Sequence, residues 1–175
     1  IIGPSTTIVL LQNGITIEKP YIQAFPATQL VSGLAFVCVS KVSEGVIHHQ
    51  DYGNLVIGRF PFGKSEKVDQ LTDIFNHNIK CCKQSEFILQ DRYKKMLWNA
   101  SFNPLSVIYK GATTSELLNT PGLVKRIKQI MKEVQYIAEL DNCIITDSDI
   151  ERNIKDTFKM KPYKTSMCLD WEKNK

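Results

Sequence analysis

No apolar run in the 175 residues reaches the length of roughly 18 needed to span a bilayer, so a transmembrane helix is excluded. No block of five or six lysines or arginines occurs, and the net charge is only +4, which speaks against nucleic acid as a partner. The first residues carry no basic leader and no initiator Met, so the chain reads as starting mid-protein. There is no internal repeat and no low-complexity tract. Cysteine is odd in number, which excludes a complete set of internal bridges: Cys38, Cys81, Cys82, Cys143 and Cys168. Cys81 and Cys82 are adjacent, which suits neither a bridge nor a CxxC knuckle, so reduced thiols in an intracellular protein are expected. His48 and His49 are neighbours on a predicted strand and face opposite sides, so no metal site is expected there.

What is present is ordinary globular material, 43% hydrophobic and 23% charged, enough for one domain or two small ones. "TTIVLLQNG" opens with an apolar run from Ile8 to Leu11, the signature of a parallel strand covered on both faces. Residues 30–40 read as a second strand. "GVIHHQDYGNLVIG", residues 45–58, reads as two short strands around a turn at Asp51 to Asn54. Residues 64–79 form a helix with Ser65 as N-cap and Val68, Leu71, Ile74 and Phe75 at helical spacing. After Cys82 the strand signals stop. Helices follow over 92–109, near 115–119, from Pro121 with Leu123, Ile127, Ile130, Met131, Val134 and Ile137 on one face, and from Thr146 or Asp147 with Ile150, Ile154 and Phe158 inward. One more begins near Ser166. The order is α/β first and all-α second, with a boundary near residues 83–90.

"RYKKMLWNASFNPLSVIY" carries the unusual pattern. Lys95, Asn99 and Asn103 recur every four residues and so fall within roughly 80° on a helix, with Ser106 inside the same stripe. Pro104 predicts a kink or a restart. Two readings stand side by side: a solvated lysine among polar neighbours, or a lined polar cavity. Asn is a poor helix former, so two in line with a lysine bring the cavity level with the solvated reading, and the residues alone leave both open. One ammonium and two carboxamides suit a small oxygen-rich anion, and a lysine beside a keto oxygen can serve as general acid. Asn13-Gly14 at a strand end reads as a turn, or as a ligand-facing strand end. Ser166 reads as an N-cap, with Asp170 in the first turn of that helix.

"LLQNG", "GVIHHQDYGNLVIG", "RYKKMLWNASFNPLSVIY" and "TSMCLDWEKNK" occur in the order seen in ketopantoate reductases. The chain resembles that family (2-dehydropantoate 2-reductase), NADPH-dependent enzymes of pantothenate and coenzyme A biosynthesis. The resemblance implies the C-terminal strands of a Rossmann-type domain, residues 1–85, joined to a helical substrate and dimerisation domain, residues 86–175. It implies Lys95 as general acid, Asn99, Asn103 and Ser166 as substrate ligands, and Asn13 and the backbone of Val39 as cofactor contacts. A small 2-keto acid as substrate, a cytoplasmic location and a homodimer are further expectations.

The departures are specific. None of the nine glycines falls in the G-x-G-x-x-G that cradles the pyrophosphate in this family. The family's Glu about a dozen residues after the serine matching Ser166 would lie beyond Lys175, and Thr113 stands where Asn is frequent. The chain is therefore expected to be an internal piece, inactive alone. Two alternatives stay open: a related reductase of another 2-keto acid, or a truncated domain used for binding or dimerisation.

Overall fold

The apolar run near the start becomes β1 (Ile8–Leu10), paired in parallel with β2 (Leu30–Ser43) so that Leu10 lies opposite Ser32. The computed structural model describes residues 2–26 and 29–174, and the chain divides into two units, Ile1–Arg92 and Tyr93–Lys175. In the first unit a mixed sheet runs β1-β2-β3-β4. β3 (Val46–Gly58) is antiparallel to β2, and β4 (Cys82–Ser85) is parallel to β3. Helix α1 (Lys19–Ala24) follows β1. Helix α2 (Glu66–Phe75) buries Val68 against Val31, Ile57 and Cys82, with Leu71 and Phe75 packed beside them. Ile74, expected inward, is exposed, because Phe75 and Leu71 already fill the sheet-facing stripe.

Two expectations for this unit are corrected. Residues 45–58 are one strand, not two around a turn. The turn chemistry at Asp51 to Asn54 is used for a bulge: Phe36 pairs with Asn54 and Val37 with Tyr52, leaving Gly53 as the extra residue at φ 137°. The reversal comes earlier, at Glu44-Gly45, where Gly45 takes φ 71° between the paired Ser43 and Val46. Strands also do not stop at Cys82. "CKQS" has no apolar pattern, yet it forms β4 because Leu55–Gly58 offers a ladder and Asn76 tethers it. Asn76 Oδ1 accepts from Cys81 N at 3.0 Å and Cys82 N at 2.8 Å.

The second unit is helical. α3 (Ile88–Ile108) enters it at Tyr93, followed by α4 (Thr114–Asn119), α5 (Leu123–Leu140), α6 (Asp147–Lys159) and α7 (Ser166–Glu172). α3 runs through Pro104 instead of restarting there. α5 buries Leu123, Ile127, Met131, Val134 and Ala138, spaced 4-4-3-4 as one face requires. Ile137, expected inward, is exposed beside that stripe. In α6 the inward positions are Ile150, Ile154 and Thr157, and Phe158 is exposed. Thr146 caps α6 through a reciprocal box with Asp149. Among the described residues no helix is long and apolar enough to cross a membrane.

Candidate active site

In the first unit the candidate region is the turn after β1. Asn13 is exposed there, at the carboxyl end of a parallel strand, where α/β sheets take their ligands. The turn is held by a residue that sequence reasoning missed. Arg92 is fully buried, and its guanidinium donates to the carbonyls of Gln12 (3.0 Å), Gly14 (3.2 Å), Leu10 (3.3 Å) and Gly33 (3.0 Å). Its Nε lies 2.6 Å from Oε1 of Glu18, which also accepts from Ser32 Oγ at 2.6 Å. Burial pulls the guanidinium below its ordinary value, and the Glu18 charge opposes that shift. The carbonyls on either side of Asn13 thus share one donor group, so the Asn13 backbone is fixed while its side chain stays open.

Val39 sits elsewhere in this unit. It is exposed and lies inside β2, not at its end, opposite His49 and beside a register shift. Gly33, which shares Arg92 with the Asn13 turn, is six residues away along an extended strand, roughly 20 Å. Asn13 and Val39 are therefore not brought together. His48 and His49 are exposed on the same ribbon.

In the second unit Lys95, Asn99 and Asn103 all lie on α3, so the three occupy one side of a continuous helix. Each is partly buried. Oδ1 of Asn103 is buried and has no protein partner. Glu18 Oε2 and Asn153 Oδ1 share that condition among the described residues, and of the three only Asn103 lies in line with Lys95 and Asn99, where its oxygen is open to a further donor. The helix is fixed on its other sides. Phe102 is fully buried and stacks on Trp98 at 5.3 Å. The Tyr93 hydroxyl donates to Asp141 Oδ2 at 2.5 Å, and burial, then that carboxylate, push the phenol above its ordinary value.

Ser106 leaves the expected polar stripe. It is fully buried, donating to Asn103 O and meeting Thr165 Oγ1, both at 2.7 Å. Thr165 is the N-cap of α7, accepting from Cys168 N at 3.1 Å. The cap expected at Ser166 is thus one residue earlier, and Ser166 is the first, exposed residue of the helix with Asp170 exposed beyond it. Its hydroxyl is spared from capping. Ser166, Met167, Asp170 and Trp171 line an open hollow of about 450 Å³ with Val107 of α3. The start of α7 and the last turns of α3 therefore meet, four residues from Asn103. Thr113 caps α4 with Glu116 in a reciprocal box, which gives that position a local structural role.

A mixed α/β unit followed by a helical unit that displays a Lys-Asn-Asn stripe defines the class. The chain belongs to the ketopantoate reductase PanE/ApbA family: the model of that name matches residues 1–61, and the model for its C-terminal part matches residues 87–175. A 2-dehydropantoate 2-reductase of Nostoc sp. is 35% identical over 171 residues, 94% of this chain and 53% of the relative. The crystal structure of 2-dehydropantoate 2-reductase from Methylococcus capsulatus superposes with a TM-score of 0.88 at 39% identity, over 99% of this chain and 56% of that one. The corresponding enzyme of Geobacter metallireducens gives a TM-score of 0.93 at 26% identity, over 100% of this chain and 58% of that one. The chain spans about half the length of the relatives it matches.

Proposed function

We propose that this chain supplies the substrate half of a reductase that converts 2-dehydropantoate to pantoate with NADPH. One observation carries the reading: the Lys95–Asn99–Asn103 stripe on α3 ends in a buried Asn103 Oδ1 that no protein group satisfies, in a chain whose residues 1–61 and 87–175 match this family. Lys95 is the general acid. Its ammonium attracts the substrate carboxylate and delivers a proton to the carbonyl oxygen as that carbon is reduced. Asn99 and Asn103 donate to and accept from the hydroxyl and carboxylate side, and Ser166 offers its free hydroxyl to the carboxylate.

NADPH, when bound, supplies the hydride. The exposed Asn13 on its clamped turn suits the nicotinamide end. No glycine loop for the pyrophosphate occurs in these 175 residues, so we assign them no turnover and no tight NADPH binding by themselves. Five free thiols agree with a cytoplasmic setting.

The test is NADPH consumption by the full-length gene product with 2-dehydropantoate and with a panel of other 2-keto acids. Turnover with 2-dehydropantoate at the highest kcat/KM is expected. A higher kcat/KM for another keto acid would move the assignment to that substrate. No turnover with any would make the chain a binding or dimerisation module.

A further inference from the structure

We infer that Ser106 and Thr165 are positioning residues for the substrate, because their hydroxyls form a one-way hydrogen-bond chain linking the backbone of Asn103 to the helix that presents Ser166. The inference rests on the reading of Asn103 and Ser166 as substrate ligands. Its direction follows from counting protons. The Asn103 carbonyl can only accept, so the Ser106 proton is committed to it at 2.7 Å. Ser106 Oγ must then accept at its 2.7 Å contact with Thr165 Oγ1, so Thr165 is the donor there. Thr165 Oγ1 accepts in turn from the Cys168 amide at 3.1 Å. The sequence Cys168 N–H, Thr165 O–H, Ser106 O–H, Asn103 C=O leaves no hydroxyl proton free to turn.

Both hydroxyls are fully buried, so water does not compete for these contacts. The chain fixes the backbone of Asn103 on α3 and the first turn of α7, where Ser166 projects into the hollow lined by Val107. A cap alone would explain the contact between Cys168 N and Thr165. A back-bond within α3, as Ser101 makes to Leu97 and Trp98, would explain the contact between Ser106 and Asn103 O, but neither explains the 2.7 Å leg that joins Ser106 to Thr165.

The two roles separate in the full-length enzyme. Ser106→Ala removes the link and leaves the cap intact; Thr165→Val removes both; Thr165→Ser keeps both. The KM for 2-dehydropantoate is expected to rise about five- to tenfold in Ser106→Ala, the worth of one hydrogen bond, with the KM for NADPH within about twofold. Thr165→Ser should match wild type. The double variant Ser106→Ala/Thr165→Val should be no worse than Thr165→Val, because a chain can be cut only once. An unchanged keto-acid KM in Ser106→Ala overturns the inference, as do equal rises in both Michaelis constants or multiplying effects in the double variant. Ser106→Cys, which keeps a weak donor, serves where Ser106→Ala fails to fold, and an intermediate KM is then expected, a wild-type KM counting against the chain. Asn103→Ala and Ser166→Ala are measured alongside. If they raise the keto-acid KM and Ser106→Ala does not, the chain is wrong and the site stands. If neither does, the site reading fails and this inference with it.

Discussion

Nε of Arg92 stands 2.6 Å from Oε1 of Glu18, and neither side chain has any surface open to solvent. Removing one member of such a pair strands the other as a buried charge. Arg92→Met should destabilise the protein by roughly 3–5 kcal/mol. Arg92→Met with Glu18→Leu should recover the part due to the stranded carboxylate, but not the clamp on Gln12 and Gly14. Urea unfolding of the single and double variants measures this. A double variant no more stable than the single would show that the loop contacts, and not the charge pair, carry the loss.

The reciprocal cap of α4 makes an acid-dependent prediction. Backbone and side-chain hydrogen bonds from Thr113 hold the Glu116 carboxyl below its ordinary 4.5. A folded value below the unfolded one gives stability that is present above the unfolded pKa and lost as pH falls through the folded pKa. The melting temperature should therefore drop on acidification from about pH 4.5 downward. In Glu116→Gln, which keeps a capping side chain but cannot titrate, that limb should be shallower. Parallel acid limbs in the two proteins would remove Glu116 from the effect.

The helical half was legible because its apolar residues repeat at 3.6-residue spacing, and the stripe at Lys95, Asn99 and Asn103 could be read the same way. The errors there fall at stripe margins. Ala138 and Thr157 are small and take the tight inward positions, and the larger Ile137 and Phe158 beside them are turned out. β4 and the Arg92 clamp were not legible. The backbone acceptors of Arg92 lie 59 to 82 residues earlier, and nothing local in "QDRYKK" marks its arginine as buried. The cap at Thr165 went to its neighbour because "TS" offers two equivalent hydroxyls, and only the partner on α3 tells them apart.

Lys95 is expected to supply the proton. Lys95→Ala in the full-length enzyme should lower kcat by roughly 10²–10⁴, the usual worth of a positioned acid. The KM for the keto acid should rise because the attracting charge is gone, and NADPH affinity should change little. Steady-state kinetics with a melting curve as control decides it. Wild-type kcat in the variant would take Lys95 out of the mechanism, and activity lost only through unfolding would make the lysine structural.

Asn103 gives the sharper contrast, since stability and binding should move apart. Its Oδ1 is buried with no protein partner, so truncating the side chain removes an acceptor whose desolvation the fold already bears. A residue kept only for structure would cost stability on removal. Asn103→Ala should instead leave the melting temperature unchanged or slightly higher. The lost contact to a charged substrate should cost roughly 1.5–3 kcal/mol in binding, read as a rise in the keto-acid KM of about 10- to 150-fold. The KM for NADPH is the internal control and should stay near wild type. A fall in melting temperature together with equal rises in both Michaelis constants would assign Asn103 to packing around Pro104, and its unpaired oxygen would then mark a tolerated defect of the helix and not a substrate ligand.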